Sequence, residues 1–220
     1  MLLQNTMAGI SHFFWDFDGT LFDTYPIIIE DLRRCLRAYG FDCDPKETMG
    51  LMLDNIGTAR DHYADRFGID RGELKAAFQQ QRSRELQAFT AKPFPGIAAV
   101  LEQILALGGK NYIFTHSKPE TIETYLKKHG LDGYFHDILG DGSPGFVAKP
   151  APDSLFFLME KHGIDPSQAV MVGDRDRDLG SARAAGIATA HFVCSVVPEE
   201  LDCNWRFENF EQMLSALKES

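Results

Sequence analysis

The chain has 220 residues, of which 25% are charged and 44% belong to the hydrophobic set, and its formal net charge is −10. That acidic balance excludes the basic, clustered footprint of a nucleic-acid-binding domain, and no apolar run reaches the ~20 residues a membrane-spanning helix needs. Length and composition predict a globular protein with one large domain, or one core carrying a small insert.

The four cysteines, Cys35, Cys43, Cys194 and Cys203, form no C-x-x-C pair and no zinc-like spacing with histidine. They predict free thiols in a reducing cytoplasm. The opening MLLQNTMAGI has neither a basic flank nor a long apolar core, so neither a signal peptide nor a membrane anchor is expected there.

Phe13, Phe14 and Trp15 form an apolar run too short for a helix, the profile of a fully buried strand. It runs out into Asp16-Phe17-Asp18-Gly19-Thr20. Extended backbone puts residues i and i+2 on one face, so both carboxylates are expected to point the same way. Gly19 permits a turn that a residue with a Cβ resists.

Helical spacing follows. Ile27, Ile28, Asp31, Leu32, Cys35, Leu36 and Tyr39 share a face closed by Gly40, and Asp44-Pro45 opens a second helix through Met49, Met52, Leu53 and Ile56. Ala59, Tyr63, Ala64 and Phe67 continue the pattern, with Ile27 and Phe67 expected in the core. Leu74, Ala77, Phe78, Gln81 and Leu86 mark a longer, polar-faced helix. Residues 24–90 hold no strand candidate, and such a shift inside an otherwise alternating chain predicts an inserted helical domain.

From Pro95-Gly96 the pattern alternates. Helices are expected at 97–105, 119–129, 155–163 and 179–185, and from about 208 to 218. Strands are expected at 112–114, 137–140, 169–172, 187–193 and 205–207, the second of these near the sheet edge. Phe156 and Phe157 are expected to pack on the sheet. Alternating βα units predict an α/β fold, a doubly wound and mostly parallel sheet. The core is then 1–23 with 91–220, and the insert 24–90.

Polar residues fall at the carboxyl ends of the predicted strands: Asp16, Thr115 and Asp174, with Lys149 in a loop before a helix. In a parallel sheet those ends share one edge, so the four groups are expected to converge. Asp174-Arg175-Asp176-Arg177-Asp178 suggests a calcium loop, but Leu179 and Ala185 stand where that loop needs Gly and Glu. Asp176 and the two arginines are expected in a solvated turn with local charge pairing.

Together these segments resemble the haloacid dehalogenase superfamily, phosphoglycolate phosphatase-like, over essentially the whole chain. DFDGT is similar to its first motif, Thr115 to the second, Lys149-Pro150 to the third, and Gly173-Asp174…Asp178 to the fourth. The resemblance implies a Rossmann-like core with a small helical cap. It further implies a Mg²⁺-dependent phosphatase in which Asp16 is the nucleophile and Asp18 the general acid/base.

By the same resemblance Thr115 and Lys149 are catalytic. Gly19, Thr115, His116, Lys149, Met49 and Gly50 bind substrate or phosphate, and Asp16, Asp18, Asp174 and Asp178 serve the metal. His116 stands where such members commonly have asparagine, and Met49-Gly50 resembles a substrate-facing turn of the cap. Arg33, Arg34, Arg37 and Arg60 either meet an anionic substrate or face solvent. The expected partner is a small phosphorylated metabolite, with no nucleic acid and no membrane, and the chain a monomer or homodimer.

Rival readings are weaker. Haloacid dehalogenases lack the second aspartate, because a leaving halide needs no proton. A β-phosphoglucomutase keeps both acids but usually has Val at the place of Thr20. A receiver domain has its acidic pair before the phosphorylated aspartate and no helical insert, and a non-catalytic relative would have lost a carboxylate.

Overall fold

The computed structural model describes residues 7–52, 55–88, 90–194 and 200–219. Contacts divide the chain into two compact units, Met1–Asp23 with Lys92–Ser220, and Thr24–Ala91.

In the first unit the strands are β1 (His12–Trp15), β2 (Lys110–Phe114), β3 (Phe135–Leu139), β4 (Ala169–Gly173), β5 (Ala188–Phe192) and β6 (Trp205–Phe207). They form one sheet in the order β3-β2-β1-β4-β5-β6, parallel at every pairing. This is the doubly wound α/β order. Its direction reverses between β1 and β4, so a crevice is expected at their carboxyl ends. Those two strands run in register, His12 beside Ala169 and Trp15 beside Val172, which brings the residues after each strand together.

Both faces of β1 are covered, which explains its uninterrupted apolar sequence. Phe14 packs with Tyr112, Phe114 and Met171 against Leu155, Leu158 and Met159 of helix α7 (Asp153–His162), while Trp15 meets Phe210 of helix α9 (Phe210–Lys218) at 6.1 Å between ring centres. Asn111, fully buried on β2, is satisfied by accepting the Trp15 indole N–H at 2.9 Å and donating to the Tyr134 carbonyl. Phe157 lies against the core, but Phe156 is 48% exposed, contrary to expectation. One helical step rotates it away from the inward stripe of Leu155, Leu158 and Met159.

The second unit holds α1 (Tyr25–Ala38), α2 (Pro45–Met52), α3 (Ile56–Phe67) and α4 (Arg71–Ala88). The buried stripe of α1 runs through Tyr25, Ile29, Leu32 and Leu36, spaced by fours and threes. Ile27 and Ile28 are therefore only half-buried and Tyr39 is exposed, where they were expected inside. Phe67 is also half-buried and stacks on Phe41 at 4.4 Å. Leu53, expected on the same face as Met52, lies outside the described residues, as does the side chain of Leu86. The polar face of α4 has a purpose: Gln81 and Arg82 donate to the buried carboxylate of Asp31 on α1, at 3.0 and 2.9 Å.

Candidate active site

Asp16 follows β1 directly, and its N–H continues the ladder by donating to the Val172 carbonyl at 2.9 Å. Gly19, at φ +80°, turns the chain and donates its N–H to the Phe22 carbonyl at 2.8 Å. Asp174 follows β4, and α8 (Asp176–Ala185) begins two residues later. The first turn of α8 presents Asp178, whose carboxylate accepts the Arg175 backbone N–H at 3.1 Å. That contact satisfies a donor left open at the helix start.

Asp16, Asp174 and Asp178 are all buried, and each brings a carboxylate oxygen within 4.8 Å of the others. Lys149, 5% exposed, lies against two of them, with Nζ 2.5 Å from Asp16 and 2.8 Å from Asp178. The ammonium also sits 4.7 Å from the centre of the Phe114 ring. Burial alone would lower the Lys149 pKa, but Asp16 and Asp178 outweigh it and raise it. Burial pushes Asp16 up to about 6; Lys149 opposes this, while Asp178 and Asp18 add to it. Against these three carboxylates stand the Lys149 ammonium and the Arg175 guanidinium, whose Nε is 3.7 Å from Asp174. Buried carboxylates with too little positive charge fit a hard, oxygen-preferring cation such as Mg²⁺.

The structure thus gathers Asp16, Lys149, Asp174 and Asp178. The Asp18 carboxylate accepts the Ser117 hydroxyl at 3.0 Å and stands near enough to add to the rise of Asp16. Thr115, fully buried, donates its N–H to the Leu139 carbonyl at 3.0 Å, and its hydroxyl accepts the Ser117 N–H at 3.1 Å. The hydroxyl proton remains available for donation. The ring of His116 accepts the Lys149 backbone N–H at Nε2, 3.0 Å away. Burial first, then the Lys149 charge, lowers its pKa to about 4, so it is neutral near pH 7.

Met49 and Gly50 lie in the other unit, within helix α2 rather than at a turn, and Met49 is buried. Pro45 at the helix start and the threes-and-fours spacing of Met49 and Met52 favour helix over turn. Arg33 and Arg37 pair with Glu30 and Asp42, Arg34 with Glu30, and Arg60 with Asp61.

Three residues given no place in the site by sequence belong to it. Ser117 holds Asp18, and the one hint was its spacing of two from Thr115. Arg175 is buried with Nε 3.7 Å from Asp174, where a solvated turn was expected. Asp176 pairs with Arg183, seven residues further along α8, at 2.6 Å. Thr20 also reaches the cluster, its hydroxyl donating to Asp174 at 3.3 Å.

Comparison with known proteins shows the family of the chain. The sequence model of the haloacid dehalogenase-like hydrolases matches residues 13–192. The phosphoglycolate phosphatase of Vibrio vulnificus (strain CMCP6) is 30% identical over 200 residues, covering 84% of each chain. A crystal structure of a predicted phosphoglycolate phosphatase from Haemophilus somnus superposes with a TM-score of 0.81 at 21% identity, covering 94% of this chain and 98% of that one. A candidate β-phosphoglucomutase from Thermotoga maritima gives a TM-score of 0.77 at 21% identity over 96% and 99%; at that identity both structures speak for the fold alone. Among the described residues no helix is long and apolar enough to cross a membrane. The chain belongs to the haloacid dehalogenase-like hydrolase family, as an enzyme of its phosphoglycolate phosphatase-like group.

Proposed function

We propose that the protein is a Mg²⁺-dependent phosphatase of small phosphate monoesters, acting through an aspartyl-phosphate on Asp16. The observation that carries this reading is the Lys149 ammonium held between Asp16 and Asp178, with Asp174 beside them and Asp18 two residues further along the chain. The Asp16 carboxylate attacks phosphorus in line, and the bond from phosphorus to the ester oxygen breaks. Asp18 protonates the leaving oxygen, then takes a proton from the water that attacks the acyl phosphate, and the bond from phosphorus to the Asp16 oxygen breaks to release phosphate and the free carboxylate. Asp16, Asp174 and Asp178 would hold the cation, which would supply positive charge against the phosphoryl oxygens. Lys149 and the Thr115 hydroxyl add donors there, each such group typically worth ~10²–10³ in rate. The role of the unit 24–91 is that of the family's cap, selecting the ester.

The test is phosphate release from a panel of small esters, with Mg²⁺ and with chelator. Phosphoglycolate comes first, because it names the substrate of the 30% identical relative. The expected result is hydrolysis that chelator stops and Mg²⁺ restores. No turnover of any ester by folded, Mg²⁺-loaded protein overturns the reading. Isomerised sugar phosphate in place of released phosphate would favour the phosphotransferase alternative.

A further inference from the structure

The loop that follows β2 grips the loop that carries Lys149 at both ends. At the near end the Ser117 carbonyl accepts the Asp141 N–H at 3.1 Å. Gly140 passes so close that a Cβ there would collide with the same carbonyl oxygen. At the far end, His116 Nε2 accepts the backbone N–H of Lys149 at 3.0 Å. The imidazole is itself fixed: Phe146, from the same loop, stands edge-on to it at 6.0 Å and 89°, and also meets Phe114. A neutral ring accepting at Nε2 carries its proton on Nδ1. The far end of the Lys149 side chain is meanwhile set between Asp16 and Asp178. Lys149 is thus held at its backbone by His116 and at its ammonium by the carboxylates.

We propose that His116 is a positioning residue for Lys149: by accepting the Lys149 backbone N–H it fixes where the ammonium meets Asp16 and Asp178, and it acts on kcat through Lys149 rather than on KM through the substrate. The side chain is well suited to this. Burial lowers the ring's pKa to about 4, so the acceptor persists near pH 7. A backbone donor is the same whatever ester is bound, so the brace is independent of substrate.

The proposal separates two substitutions that look equally mild. The amide oxygen of Gln reaches about as far from the backbone as an imidazole Nε2, whereas that of Asn stops near the Nδ1 position. Amide hydrogen exchange at Lys149 is read for wild type, His116→Asn and His116→Gln. Steady-state kinetics accompany it on whichever ester the wild type hydrolyses. Expected is faster exchange at Lys149 in His116→Asn, wild-type protection in His116→Gln, and a fall in kcat of roughly tenfold or more for Asn alone, with KM little changed. Unchanged protection in His116→Asn overturns the proposal, as does a rise in KM at constant kcat. The kinetic arm rests on the phosphatase reading. The exchange arm does not, so a protein that hydrolyses no ester still tests the brace.

Discussion

Gly173 packs directly against the carboxyl group of Asp178: a Cβ placed on the glycine would stand 2.7 Å from both Asp178 Cγ and Oδ2. The last residue of β4 must lack a side chain for the first turn of α8 to bring its carboxylate back over the strand end. Gly173→Ala is expected to cost about 1–3 kcal/mol through overpacking. It should also push Asp178 off Lys149 and lower phosphate release at least tenfold, by rough analogy with other small misplacements at active sites. Urea denaturation and the ester assay check the two effects separately.

Lys149 is the cation set directly against Asp16 and Asp178. Removing one partner of a buried ion pair leaves the other charge uncompensated, at a typical cost of about 3–5 kcal/mol. Lys149→Met is expected to lose stability on that scale at neutral pH, and Mg²⁺ should recover part of the loss by neutralising the same carboxylates. Melting curves with and without Mg²⁺ decide this; a variant as stable as wild type in the absence of metal would be inconsistent with the charge balance described.

Acid should weaken the fold through His116. Its pKa is lowered to about 4, chiefly by burial, from an unfolded value near 6.5. Between those values the unfolded chain binds more protons, so the stability from the neutral ring is complete above about 6.5 and is lost as pH falls toward 4. His116→Gln has no such proton to take up. The gap in urea midpoint between wild type and His116→Gln is therefore expected to move in the variant's favour from pH 7 to pH 4.5. A gap constant over that range would contradict the neutral, buried ring.

Inside the 24–91 unit, the buried Asp31 carboxylate ties α1 to α4 through Arg82 and Gln81. Arg82→Met should destabilise this unit by about 1.5–3 kcal/mol, the range for hydrogen bonds to charged groups. Hydrogen exchange on α1 and α4 is the measurement. Unaltered exchange on both helices would show that apolar packing suffices.

Much of this site could be read from the chain because strand ends converge by topology. Once Phe13–Trp15 and Ala169–Val172 are strands of one parallel sheet, Asp16 and Asp174 share its carboxyl edge, and the direct pairing of β1 with β4 brings them together. Contacts that depend on rotamer and turn geometry were not legible. Nothing in the spacing told that Asp18 would face Ser117, that Arg175 would be buried beside Asp174, or that His116 would receive a backbone N–H. Helix faces were read to within one residue's rotation, about 100°, which is why Ile29 is buried where Ile27 and Ile28 were expected and why Phe156 points outward. Met49 and Gly50 show the same limit, since a resemblance suggested a turn where the local sequence forms a helix.

The central claim, that Asp16 is the nucleophile, is tested most directly by the rate of Asp16→Asn with Mg²⁺ on the best ester of the panel, its fold verified by melting. Removing a nucleophile that acts with a whole catalytic group predicts a fall on the order of 10⁴-fold or more. A rate within about tenfold of wild type would contradict the account, since no such loss of covalent catalysis would have occurred.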